Sequence, residues 1–87
     1  MEEKEGVWFV YILQCRDGSY YTGITNNIEK RMNVHASGKG SKYVKIKGFD
    51  HLIAKSICKN KSEAAKSEYF IKTLSRKEKI RWFSENN

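Results

Sequence analysis

Two tyrosines ten residues apart, Tyr11 and Tyr21, stand in apolar, strand-like runs on either side of an Asp17-Gly18 turn. Arg31 and His35 follow at i, i+4 spacing. Phenols, a guanidinium and an imidazole on adjoining elements admit two readings. They can be ordinary packing, a tyrosine-lined core with a snorkelling arginine and a structural histidine at its margin. Or they can handle a phosphodiester, whose hydrolysis requires an activated water, charge neutralisation on the phosphoryl oxygens and help for the leaving oxygen. Further on, Glu68 sits at the edge of a helical apolar stripe. A lysine is the ordinary partner of such a carboxylate, and a metal ion is the rarer one.

The elements that must position these groups follow from periodicity. Residues 7 to 15 are nearly continuous in apolar and β-branched character, which predicts a strand buried on both faces. Residues 16 to 19 form a turn, and 19 to 25 the return strand. Asn26 with Glu29 has capping-box spacing and opens a helix that ends at Gly38. On it Ile28, Met32 and Ala36 mark the buried stripe, with Arg31 and His35 beside it. The Gly-Lys-rich stretch 38–48 reads as a mobile loop with four lysines and one aromatic. Phe49 to Cys58 is a third strand. Asn60 with Glu63 opens a helix to about Leu74, whose apolar side is Ala64, Phe70, Ile71 and Leu74. Ser75 with Glu78 opens a last helix, 76 to 84. The fold class is therefore α/β: a small, three-stranded, mostly antiparallel sheet flanked by helices in the order β-β-α-β-α-α. Residues 1–6 are expected as a flexible N-terminus, 7–84 as a single domain and 85–87 as a tail.

The register of the hairpin decides whether the phenols meet. A two-residue loop, Asp17-Gly18, puts Tyr11 and Tyr21 on opposite faces. A three-residue loop with a left-handed Gly18 bulge pairs Leu13 with Tyr21 and Tyr11 with Gly23, placing both phenols on one face as diagonal neighbours. The second register is favoured because it explains a glycine inside a strand, Gly23, as room beside the Tyr11 ring.

Composition narrows the partners. Seventeen Lys and Arg against ten Asp and Glu leave a net charge of +7 on 87 residues, which favours a polyanion, nucleic acid before membrane. The acidic start of the chain lacks the order of a signal peptide, and no apolar run approaches the length of a membrane span. Cys15 and Cys58 have no metal-ligand spacing and read as small apolar residues in a reducing cytoplasm.

Taken in order, these residues resemble the GIY-YIG endonuclease superfamily over about residues 7 to 80. Tyr11, in Phe9-Val10-Tyr11, ends a first triplet, and Tyr21-Thr22-Gly23 is the second. Arg31, His35 and Glu68 fall where the family has its helix pair and its metal-binding glutamate. His35, Gly38, Gly40, Lys42 and Tyr43 resemble the small stand-alone YhbQ-like branch. Departures exist. The first triplet keeps only its tyrosine, and Thr22 replaces an aliphatic residue. Ile24 and Thr25 stand where UvrC-like members have a lysine. The closing helix lacks the amide of larger members near Lys79-Ile80-Arg81, and Asn86 lies too late for it.

The resemblance implies a divalent-metal-dependent endonuclease hydrolysing DNA, with RNA as a further target, weakly sequence-specific and cytoplasmic, in the province of DNA repair. It implies one Mg²⁺ or Mn²⁺ on Glu68 and transition-state stabilisation by Arg31. A water proton would be relayed by a tyrosine, Tyr11 ahead of Tyr21, with His35 sharing that work. Gly23 would be structural at the site. Lys39, Lys42, Lys45, Lys47, Arg76 and Lys77 would contact phosphate, and Tyr43 would stack on a base. The chain would act as a monomer, with a protein partner as a source of specificity. The departures leave an alternative, a nucleic-acid-binding module with the same fold and little or no catalysis.

Overall fold

The computed structural model describes residues 7–86. The segment expected to be flexible, 1–6, and the final residue of the expected tail lie outside the described residues. Seven elements follow in order: β1 (Trp8–Cys15), β2 (Tyr20–Thr25), α1 (Ile28–Ala36), α2 (Lys42–Lys47), β3 (Phe49–Cys58), α3 (Lys61–Lys72) and α4 (Arg76–Glu85). The sheet runs β2-β1-β3, with both neighbours antiparallel to the central β1.

Central placement explains why β1 is apolar on both faces. Val10 and Ile12 pack with Ile71 of α3 and Phe83 of α4, whereas Tyr11, Leu13 and Cys15 pack with Val44 of α2 on the other face, joined by Ile28 and Met32 of α1. Each such buried side chain contributes on the order of 1.5–3 kcal/mol. Two thin cores thus sandwich one sheet.

The hairpin takes the three-residue loop. Cys15 N–H donates to Ser19 O at 2.8 Å, Gly18 sits at φ 88°, and the ladder pairs Leu13 with Tyr21 and Tyr11 with Gly23. Only a left-handed residue closes this bulge, and glycine does so without a Cβ penalty.

Three local expectations are corrected. First, α1 is capped one residue later than expected. Asn27, not Asn26, is extended and accepts from Lys30 N–H through its side chain, so no glutamate reciprocates. The reason lies upstream, where the buried Thr25 hydroxyl accepts from Asn27 N–H and prolongs the strand. Second, the stretch read as a mobile loop holds a helix, α2. Ser41 caps it by accepting from Tyr43 N–H, Val44 anchors it in the core, and Gly48 at φ 85° ends it. Third, Phe70 is half-exposed rather than part of the core-facing side of α3, which buries Ala64 and Ile71.

The remaining caps follow their sequence signals closely. Gly38 closes α1 with φ 79°, its N–H on His35 O and Lys39 N–H on Val34 O, the paired bonds of a Schellman turn. Asn60 accepts from Glu63 N–H, while the Glu63 carboxylate reaches Lys59 N–H rather than its own cap. Ser75 and Glu78 make the full reciprocal box, and α4 extends through Glu85.

Candidate active site

The site is built on the α1/α2 face of the sheet. Tyr11 projects from the centre of β1, and Tyr21 from edge strand β2, their ring centroids 6.5 Å apart. Gly23, directly opposite Tyr11, makes this possible in an unexpected way. Its missing side chain does not leave open space. A Cβ there would lie 2.5 Å from Tyr11 Oη and 3.1 Å from Tyr21 Cε2, so the phenol itself occupies the room. That fold-back aims Oη toward α1.

There it meets His35. Tyr11 Oη and His35 Nε2 are 2.9 Å apart, and the two residues are 1% and 3% exposed. The expected stripe on α1 is therefore rotated, because His35 is the buried residue and Ala36 faces solvent. The physical cause is that the Schellman turn brings Gly40 back over the imidazole, where a Cβ would stand 2.7 Å from Nδ1. Phe49, at the start of β3, stacks on the imidazole itself, with centroids 6.3 Å apart and planes 16° from parallel. Phe49 did not stand out in the sequence, whereas Gly40 was visible in the His-x-x-Gly-x-Gly spacing.

Burial sets the protonation states. The Tyr11 phenol is held well above the usual phenol range, first by burial and then by Tyr21, with Arg31 opposing and Glu68 adding to the rise. His35 is pushed below the usual imidazole range by burial and by the Arg31 guanidinium. At neutral pH the pair is a neutral phenol on a neutral imidazole. Arg31 and Glu68 thus lie within electrostatic reach of the Tyr11 hydroxyl, one charge of each sign.

Arg31 is exposed, and no carboxylate among the described residues pairs with it. The Glu68 side chain is 23% exposed and pairs with Lys72, one helical turn on, at 3.2 Å. Among the described residues no group of three or more His, Cys, Asp or Glu could hold a metal ion. One half-buried carboxylate is nevertheless a donor set that Mg²⁺ accepts, because that ion retains most of its waters and takes phosphate oxygen as a further ligand.

Tyr43 stands on α2 rather than on a loop and packs beside Tyr21 while remaining exposed. Its ring stacks on Tyr21, with centroids 5.9 Å apart and planes at 26°. Lys47 lies 5.7 Å from the centroid of Tyr43 and pairs with Asp17 at 3.2 Å. Asp17 is held down to about 2, first by hydrogen bonds from the Ser19 hydroxyl and backbone and then by Lys47. This acid tethers the hairpin turn to α2 and partly neutralises one of the four expected lysine contacts. Lys39, Lys42 and Lys45 line an open cleft of about 670 Å³ with Gly38, Gly40 and Ile46. Arg76 and Lys77 do not join them. Arg76 lies 4.1 Å over Tyr20, which packs against the opposite sheet face, so the expected basic surface is divided between two sides.

The sequence and fold are similar to those of known proteins. A family model described as the GIY-YIG catalytic domain matches residues 7–81. A UPF0213 protein from Staphylococcus saprophyticus is 47% identical over 77 residues, covering 88% of this chain and 94% of that one. Another from Oceanobacillus iheyensis is 53% identical over 74 residues, covering 84% and 85%. The solution NMR structure of a UPF0213 protein from Bacillus halodurans aligns at 45% identity with a TM-score of 0.54, covering 90% of this chain and 83% of that one.

Proposed function

The chain belongs to the GIY-YIG family, and from that premise we propose that it is a divalent-metal-dependent endonuclease hydrolysing phosphodiester bonds in DNA and also in RNA. The observation that carries this reading is the Tyr11–His35 hydrogen bond, sealed inside the molecule with Arg31 and Glu68 acting on the same phenol. A merely structural tyrosine needs neither an unpaired guanidinium nor a carboxylate nearby.

In the proposed reaction the scissile phosphate lies over Tyr21 and beside Arg31, whose planar fork suits the phosphoryl oxygens as negative charge builds in the transition state. Tyr11 gives its phenolic proton to His35 Nε2 as it takes one from the attacking water, so the phenol stays neutral and the imidazole carries the added proton. A phenol held this high is a poor base alone, so the imidazole's role is essential to the relay. Glu68 is the residue that would hold Mg²⁺ or Mn²⁺, which when bound supplies charge neutralisation and a more acidic water. Lys39, Lys42 and Lys45 contact backbone phosphates without reading bases, giving weak sequence preference. In this reading the enzyme acts as a monomer in the cytoplasm, where Cys15 and Cys58 stay reduced.

The Glu68–Lys72 pair favours the second reading, a binding module without turnover, because the one candidate metal ligand already has a partner. A nuclease panel of single-stranded, duplex, flap and branched DNA plus RNA, run with Mg²⁺ or Mn²⁺, separates the two. Cleavage abolished by Glu68→Ala and by Arg31→Ala is the expected result. Salt-sensitive binding without cleavage identifies the module, and cleavage unchanged in both variants refutes the site.

A further inference from the structure

A second cavity, of about 190 Å³, adjoins the imidazole, with Arg16, His35, Gly38, Lys45, Gly48 and Phe49 among its walls and Tyr11 absent from them. It therefore lies on the side of His35 away from the phenol. His35 Nδ1 is the one buried side-chain polar atom among the described residues that has no hydrogen-bond partner. Leaving such a group unpaired costs on the order of 1–3 kcal/mol, so a native structure that keeps it calls for an explanation.

Nδ1 has no surface open to the cavity, so a group held there would act on it through its charge and not through a hydrogen bond. Arg16 and Lys45 pair with no carboxylate among the described residues, and the neighbouring Asp17 is taken by Lys47. Arg16 is also held in place. Its backbone N–H donates to Gly48 O at 2.8 Å, and its Cδ lies 2.9 Å from where a Gly48 Cβ would be. The C-terminal ends of α1 and α2 border the cavity and place partial negative charge there. Each helix end amounts to at most about half an elementary charge, and the α1 carbonyls of Val34 and His35 already accept backbone N–H groups. Two full cations outweigh that field, and the site is left positive.

We propose that this cavity is a phosphate-binding subsite, in which Arg16 and Lys45 hold a phosphate group whose charge keeps the His35 proton on Nδ1. With the proton there, Nε2 is an acceptor and the Tyr11 hydroxyl must donate to it, which is the orientation a proton relay through Tyr11 requires. Arg16 and Lys45 are thus positioning residues. The subsite couples occupancy by the nucleic-acid chain to the state of the Tyr11–His35 pair. The coupling rests on the nuclease reading, but phosphate binding itself does not.

The test is an NMR titration of the metal-free, isotopically labelled full chain with inorganic phosphate, at constant ionic strength with chloride as control. Saturable shifts at the His35 ring nitrogens, with Nδ1 protonated and exposed His51 unmoved, are expected. Lys45→Gln and Arg16→Gln should each weaken binding by about tenfold, the order of one charge-assisted hydrogen bond. Lys45 is exposed, so its variant keeps the fold even if Arg16→Gln disturbs the packing on Gly48. A dinucleotide without terminal phosphate and a mononucleotide with one then identify the source. Saturation by the first assigns the subsite to an internal phosphate of the strand, and saturation by the second alone to a strand end. No saturable shift with any of the three probes, or unchanged affinity in Lys45→Gln, overturns the proposal. Phosphate binding without any cleavage would leave the subsite standing and remove only the nuclease reading.

Discussion

Tyr11 Oη and His35 Nε2 lie 2.9 Å apart in a part of the molecule almost sealed from solvent, although 24 residues separate them in the chain. Both groups are held neutral, the phenol first by burial and then by Tyr21, the imidazole by burial and then by Arg31. Stability should therefore fall at both ends of the pH scale. His35 has a folded pKa below its unfolded value of about 6.5, so the unfolded chain takes up a proton first, and stability is lost as pH falls below about 6.5. Tyr11 has a folded pKa above its unfolded value of about 10, so stability is lost as pH rises beyond about 10. Denaturant titrations across pH should show both limbs. The acid limb should flatten in His35→Gln and the alkaline limb in Tyr11→Phe.

Gly23→Ala forces a methyl group to within 2.5 Å of Tyr11 Oη and 2.7 Å of its Cζ. Overpacking of this kind costs about 1–3 kcal/mol. The phenol must swing away from His35, so activity should fall further than stability. Adding Tyr11→Phe should restore only part of the lost stability, since Cζ stays in the way. Urea denaturation of the single and double variants measures both effects.

Lys72 competes with any metal for Glu68. Exposed i, i+4 pairs contribute about 0.3–0.5 kcal/mol, so Lys72→Ala should scarcely change the melting temperature. It should nevertheless lower the Mg²⁺ concentration that half-saturates the NMR shifts at Glu68. An unchanged Mg²⁺ titration would count against Glu68 as the ligand.

The lysines of α2 should differ in their salt signatures. Lys42→Gln removes an unpaired cation beside the basic cleft and should reduce the salt slope of DNA binding by about one. Lys47→Gln should reduce it less, because Asp17 already offsets that charge. Binding isotherms at several salt concentrations distinguish them.

Ser41→Ala removes the N-cap of α2, a helix of six residues. The expected cost is about 0.5–2 kcal/mol. Faster hydrogen exchange should be confined to residues 43–48, with Tyr43 loosened from Tyr21, while the sheet keeps its protection.

What the sequence by itself determined was the local order and most of the chemistry. The unbroken apolar run of β1, the Asp17-Gly18 turn and the Asn60 and Ser75 caps act between near neighbours, so propensity and periodicity carry them. Gly23 even selected the hairpin register, because a glycine inside a strand needs a reason. Short-range signals also misled: Asn26 has the well-spaced Glu29, yet the buried Thr25 hydroxyl gives the cap to Asn27, and Ser41 and Gly48 bracket a helix hidden in a lysine-rich stretch. Tertiary structure alone decided how the side chains meet. Whether His35 is a marginal or a buried residue depends on Gly40 folding over it, and whether Glu68 is free depends on which rotamer Lys72 adopts. Arg76 left the other basic residues because Tyr20, one position from Tyr21, points through the opposite face of the sheet. The hydrogen bond between Tyr11 and His35 arises from a strand and a helix brought together by burial, and sequence spacing carries no term for that.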